Sequence, residues 1–360
     1  MIETTKLKIT TITPVTIGSG IELSPYSDYI IDNNQVCFLN KAKLQKIIAT
    51  KDHWLDLYIQ GVATQMDNNR SNFDIKAFIL NNRIVDDIEE VILYRCPFVT
   101  TTPQSKLPIK GVVKSPLLEP YFPGTTIKGV FKTILMYNWL KTNPGADRMI
   151  EDVINGDNFN SLEKKFECKV DEYSNTLMQP NVIQLVSDSK PLAKNANVVV
   201  DCYRKMPIRF ECVDKGKNTE FTLGLEKYKW EDLSKQANDY ATAVLEREFA
   251  LVEEDDKLTE YYNQLVDIEE KISKSGKNTA YIRIGFGKGY YLNSLGIAVY
   301  DYVTQKKSDE MYYKYEAFLK KEFAKKGKLD DFSLDNFPRT RLMVKKTQEP
   351  LGWIKIEKIN

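Results

Sequence analysis

The chain has 360 residues, with 51 Lys and Arg against 50 Asp and Glu, for a formal net charge of +1. That balance excludes a histone-like protein that holds nucleic acid by bulk charge alone, and the length suits two domains. A hydrophobic fraction of 42% with 20 Tyr and 16 Phe is enough for sizeable cores and excludes disorder of the whole. Without a run of eighteen apolar residues no membrane span is expected. The start of the chain lacks an apolar leader core, so no signal peptide is expected either. The five cysteines (Cys37, Cys96, Cys168, Cys202, Cys212) are scattered and form no C-x-x-C pair. A reducing, cytoplasmic setting is therefore expected, without disulfides, structural metal or cofactor.

In chain order, residues 6–13 alternate polar and apolar side chains, are rich in β-branched residues, and predict a strand stopped by Pro14. A glycine turn, Gly18-Ser19-Gly20, follows. Residues 29–32 and 35–39 predict a hairpin about Asn33-Asn34. Residues 41–91 are mostly helical in pattern, and 103–123 predict a loop. An amphipathic helix is expected over 127–141, ended by Asn143-Pro144-Gly145. Residues 146–180 resemble a polar insertion. Strands are expected at 182–186, 198–203, 208–213 and 220–223, the last two flanking Asp214-Lys215-Gly216-Lys217-Asn218, a turn of hairpin chemistry. A long helical region over 230–273 breaks near 253–256. A strand at 279–284, the loop Gly285-Phe286-Gly287-Lys288-Gly289, a helix at 290–302 and short strands at 341–344 and 353–356 complete the chain. The order predicts an α+β fold of two domains, 1–195 and 196–360, with antiparallel sheets each covered by helices on one face.

His53 is the only histidine and stands between Asp52 and Asp56 in a helical stretch. A Ser-His-Asp or Cys-His device would need it as the base, but no nucleophile motif accompanies it. One histidine also excludes metal hydrolysis of the two-histidine kind. Gly124-Thr125-Thr126-Ile127-Lys128-Gly129 is no phosphate-binding P-loop, since Val130-Phe131 stand where Lys and Ser or Thr are required. The late glycine loop has the wrong spacing for a dinucleotide fingerprint. What remains is a turn that opens a helix. It can present backbone N–H groups and the hydroxyls of Thr125 and Thr126 to an anion. Lys128 and Lys132, four apart, share one face beside it. The plainer reading is a capped helix with two solvated lysines.

Charge is unevenly spread. Residues 104–141 hold six lysines and one acid, and residues 337–360 hold six basic residues and two acids. Segregation of this kind in a neutral chain is expected when one face binds nucleic acid.

Three segments together carry a family resemblance: Thr13 to Gly20, Tyr121 to Gly129 and Arg283 to Gly289. Their order resembles the RAMP superfamily of CRISPR proteins, and most of all the fifth-subunit family of the type III-A Csm effector complex. The resemblance implies two ferredoxin-like (RRM-like) domains with helical insertions. It implies non-catalytic binding of the CRISPR guide RNA toward its 3′ end and capping of the filament of backbone RAMP subunits. Other Csm subunits and host nucleases are the implied partners, and guide maturation and antiviral defence the implied roles. By motif match the RNA contacts are Gly18, Ser19, Gly20, Thr125, Thr126, Lys128, Lys132, Arg283, Gly285, Gly287, Lys288 and Gly289. The family's Ser-Ser is Thr125-Thr126 here, which keeps both hydroxyls. The aromatic platform of single RRM domains is not evident, so recognition is expected to rest on backbone and shape.

Two other readings stay open. An RNA-cleaving RAMP protein would use Asp28, which follows the first glycine turn, or His53; the plainer role for Asp28 is a turn carboxylate. A subunit gripping the 5′ handle would share the same loops.

Overall fold

Alternation at the start of the chain produces β1 (Ile2–Thr11), which buries Leu7 and Ile9, and Pro14 then separates it from β2 (Gly18–Leu23). The computed structural model describes all residues except 1, 69–72, 104–105, 144, 156–181, 203–207, 254, 288, 290, 292–294, 306–308, 325–331, 336, 339–340 and 360. The hairpin of β3 (Tyr29–Asp32) and β4 (Gln35–Leu39) turns at Asn33 and Asn34, whose φ values of 45° and 61° suit a tight two-residue reversal. Helices α1 (Lys41–Ile48), α2 (Asp52–Asn68) and α3 (Ile75–Asn81) follow, with Asn40 and Asp74 capping the first and third through their side chains. Next come β5 (Ile92–Val99), β6 (Ile109–Val112), α4 (Gly124–Thr142) and α5 (Ala146–Asn155). Strands β7 (Ile183–Val186), β8 (Asn197–Cys202), β9 (Ile208–Val213) and β10 (Asn218–Glu226) lead to the long helices α6 (Trp230–Val252) and α7 (Thr259–Ser273). Strand β11 (Thr279–Arg283), helices α8 (Gly296–Gln305) and α9 (Asp309–Ala324), and β12 (Trp353–Lys358) end the order.

Two sheets organise these elements. The five-stranded sheet runs β11-β12-β1-β10-β7 and is antiparallel throughout, with β1 at its centre. Helices α4 and α6 contribute to one core against it, where Ile127, Phe131 and Leu233 meet Leu7, Ile9 and Leu223. A second core joins α6 and α7 to Tyr281 and Trp353. The seven-stranded sheet runs β2-β6-β9-β8-β5-β4-β3; it is mixed, because β5–β8 and β6–β9 pair in parallel. Helices α1 and α3 cover its Ile30, Cys37 and Leu39.

The α+β class is as expected, but several details differ. Each sheet draws strands from both sides of residue 195, so that boundary divides neither sheet from the other. The turn at 214–218 makes no hairpin: β9 lies in the seven-stranded sheet and β10 pairs with β1 in the other. Its Gly216 and Lys217 amides donate to Thr11, so the turn hands the chain between sheets. Helix α4 is buried nearly all round from Ile134 to Leu140, not amphipathic, because other helices join its core from the side expected to face water. The loop at 103–123 contains β6, and residues 341–344 make only isolated bridges, Met343 with Pro350 and Val344 with Cys202. Of the expected insertion, α5 packs Met149 and Ile150 into the main core, and residues 156–180 lie outside the described residues, as does Cys168. The other four cysteines are free and buried.

Candidate nucleic-acid interface

The first glycine turn is set at the edge of the seven-stranded sheet. Val15 and Val213 exchange backbone hydrogen bonds of 2.9 and 2.7 Å, which fixes the chain as it leaves β1. Gly18 then pairs with Val112, and the register breaks between Gly18 and Glu22. Within that bulge Gly20 has φ of 80°, which only glycine adopts without strain. Ser19 Oγ donates to the Gly111 carbonyl at 3.0 Å and accepts from the Ile21 amide at 3.3 Å, so the hydroxyl holds the bulge together. Gly18 and Gly20 have open space where a Cβ would stand, which leaves this stretch of backbone approachable from outside.

The late glycine loop is knitted to the same segment. Phe286 N–H donates to the Thr16 carbonyl at 2.8 Å, Ile284 N–H to Gly352 at 2.8 Å, and Gly352 N–H to Pro14 at 2.9 Å. A Cβ at Gly285 would lie 2.2 Å from the Thr16 oxygen, and one at Gly287 would lie 3.0 Å from Leu342 Cδ2. The close approaches expected of Gly285 and Gly287 are therefore made to the chain itself. Gly289 is exposed, and among the described residues no atom lies within 4 Å of where its Cβ would stand. Lys288 lies outside the described residues.

Arg283 is not the surface contact its motif position implied. It is 3% exposed; its Nε donates to the Leu351 carbonyl at 2.7 Å, its Nη1 pairs with Glu248 at 2.5 Å, and its Nη2 reaches the Gly287 carbonyl at 3.3 Å. Burial disfavours its charge, but Glu248 and Tyr261 outweigh that and raise its pKa. The guanidinium braces the loop from inside.

The second motif also departs from expectation. The Gly124 amide at the start of α4 donates to Asp188 Oδ1 at 2.7 Å, and a Cβ at Gly124 would lie 2.3 Å from the Val186 carbonyl. A carboxylate of the chain already occupies the place offered to an anion, so this helix N-terminus is not a free phosphate cradle. Thr125 and Lys128 remain exposed; Thr126 and Lys132 are half-buried. Ile127, below them, shares a core with Val15 and Ile284, which ties this helix to the other two motifs.

The basic segments are partly neutralised within the fold. Lys110 pairs with Glu22 at 3.2 Å, Lys355 with Glu357 at 2.8 Å, and Lys358 with Glu231 at 3.4 Å. Lys114 is half-buried, 2.7 Å from a Glu211 carboxylate of zero exposure, and it also contacts the Tyr94 hydroxyl. Lys128, Lys345 and Lys346 are exposed.

The two candidate catalytic groups stand apart from these turns in character. Asp28 Oδ2 accepts from the Ser24 amide at 2.7 Å, which holds the turn before β3, and Oδ1 accepts from Lys41 Nζ of α1 at 2.8 Å. His53 is exposed in the first turn of α2.

Two sheets of ferredoxin-like strands, with a bulged glycine edge and a late glycine loop locked side by side, define a RAMP protein. The RAMP superfamily matches residues 8–354, and the chain belongs to that family. Among its relatives is the CRISPR system Cms protein Csm5 of Enterococcus italicus, 27% identical over 255 residues, 64% of this chain and 63% of that protein. The Csm5 protein of Methanocaldococcus jannaschii is 25% identical, with 98% of this chain and 88% of that protein covered. The fold is similar to a chain in a Csm–crRNA–target RNA ternary complex of a type III-A CRISPR-Cas system, with a TM-score of 0.66 and 19% identity over 98% of this chain and 100% of that one. It is also similar to T. onnurineus Csm5, with a TM-score of 0.61 and 17% identity over 96% of this chain and 99% of that one.

Proposed function

We propose that the chain is an RNA-binding, non-catalytic subunit of a type III-A Csm effector complex. It holds the guide RNA toward its 3′ end, caps the row of backbone subunits and supports guide maturation. The observation that carries this reading is the joined pair of glycine turns, whose inner sides are fixed by Thr16 and whose outer side at Gly18 and Gly20 leaves room where a Cβ would stand. Backbone open to close approach, with exposed Lys128 on the adjoining core, suits phosphates of a chain whose sequence is not read. The names of the relatives and the assembly that holds the structural neighbour agree with it. The non-catalytic part is supported by Asp28, whose two oxygens are both committed to local partners.

The test is RNA affinity across a salt series. Affinity for single-stranded RNA is expected to fall with salt, and Lys128→Ala with Lys132→Ala to lower the slope by about 1.4, the value for two single-strand phosphate contacts. The loss should be uniform across RNA sequences. Affinity indifferent to salt, or a loss confined to one sequence, contradicts the reading.

A further inference from the structure

Phe286 stands in the late glycine loop, 49% exposed, three residues beyond the end of buried strand β11 and between the half-buried Gly285 and Gly287. A lone exposed aromatic residue is ordinary on a protein surface. This one differs in how it is held. On its N-terminal side Gly285 is pressed under the Thr16 carbonyl, and the Phe286 amide donates to the same oxygen at 2.8 Å. On its C-terminal side Gly287 packs against Leu342 and Leu351, and its carbonyl accepts from Arg283 at 3.3 Å. The ring leans on Phe210, centroids 5.2 Å apart and planes at 39°, and Phe210 is itself 2% exposed in β9. The ring thus projects from a fixed backbone with a core aromatic beneath it.

From this we infer that Phe286 is a stacking platform for a base of the bound RNA, an inference that rests on the RNA-binding function proposed above. Gly18 and Gly20 follow Thr16 by two and four residues, and among the described residues no atom lies within 4 Å of a notional Cβ at either. A planar base can approach the ring there while its phosphates run along the glycine backbone. Every base offers a π-face, so a ring of this kind adds affinity without reading sequence. That suits a guide whose sequence differs from copy to copy. The other motif contacts offer backbone, hydroxyl and charge; Phe286 adds an aromatic one.

The experiment uses the full chain and single-stranded RNAs that carry 2-aminopurine at successive positions. Wild-type protein is expected to quench the probe at one position or a short run of positions. Phe286→Leu, which keeps apolar bulk without the plane, should abolish the quenching and weaken binding about tenfold, as loss of one stacked base does. Phe286→Tyr should keep both, and the salt slope should be the same in all three proteins. Thermal melts establish that the variants are folded. Unchanged quenching and affinity in folded Phe286→Leu overturns the platform while leaving RNA binding intact. So does a variant that binds RNA normally but loses a neighbouring subunit, which assigns the ring to a protein contact. Wild-type protein with no RNA affinity overturns the platform and the proposed function together.

Discussion

Gly285 and Thr16, far apart in the chain, share one oxygen: a Cβ at 285 would lie 2.2 Å from the Thr16 carbonyl, which accepts the next amide, Phe286 N–H, at 2.8 Å. The two glycine turns are therefore one structural unit. Its inner side is closed by backbone packing, and its outer side is where RNA is proposed to lie.

A graded glycine series follows from that division. Gly285→Ala, with φ of 83° and no room for a Cβ, should be the most destabilising, beyond the 1–3 kcal/mol of strain alone. Gly287→Val, with φ of 94° and Leu342 close by, should also lower the melting temperature strongly. Gly289→Ala has φ of 79° but no described neighbour within 4 Å of its Cβ, and should cost about 1–2 kcal/mol. Gly18→Ala should stay within about 0.5 kcal/mol. Equal effects at Gly18 and Gly285 in chemical denaturation contradict the division.

The pair of half-buried Lys114 with buried Glu211 offers a sharper test of the sheet core. Glu211 also accepts from the Asn197 amide at 2.8 Å, and its other oxygen is 3.4 Å from the Val112 amide. Lys114→Met strands a carboxylate of zero exposure and should cost about 3–5 kcal/mol. Adding Glu211→Gln removes the stranded charge but keeps an acceptor for Asn197, so the double variant should recover much of the loss. A double variant no more stable than Lys114→Met shows that the charge is not the source.

How much of this was legible in the sequence depended on the reach of each interaction. Strand β1 was legible because alternation is local, and the β3–β4 hairpin because Asn33-Asn34 is a turn signal by itself. The 214–218 turn was misread because its partner, Thr11, lies 203 residues earlier, and the same residue types serve any reversal. Arg283 passed for a surface contact because its counter-charge, Glu248, lies 35 residues away on another element. Asp188, which closes the α4 N-terminus, sits 64 residues from Gly124 and carries no motif. Phe286 was in plain view, flanked by glycines, but which way its ring faces is decided by Thr16 and Phe210. The expected RNA contacts at Gly18, Ser19, Gly20, Thr125, Lys128 and Gly289 keep exposed positions, with the Ser19 hydroxyl held by the Gly111 carbonyl, whereas Arg283 turns inward.

A pH dependence is expected from α8. Asp301 accepts from the Tyr137 hydroxyl at 2.8 Å, and burial pushes its pKa up, against smaller opposing effects of that hydrogen bond and Lys141. A carboxylate whose pKa is higher folded than unfolded holds its proton better in the folded state. Its contribution therefore favours folding as pH falls through the folded pKa, and opposes folding at neutral pH where it is ionised. Asp301→Asn keeps an acceptor for Tyr137 and removes the buried charge. The variant should melt higher than wild type at pH 7–8, and the gap should shrink toward pH 5. A gap that grows on acidification reverses the sign and contradicts the assignment.

The most direct measurement is recovery of the assembly through this chain. Tagged at one end in its native host and purified gently, the protein should bring down a multi-subunit complex that holds guide RNA. Ultraviolet crosslinking followed by mapping should then place it on the 3′ part of the guide, spread over many spacer sequences. Crosslinks confined to the repeat-derived 5′ handle, or a complex that carries no RNA, would contradict the proposed place of the protein in the effector.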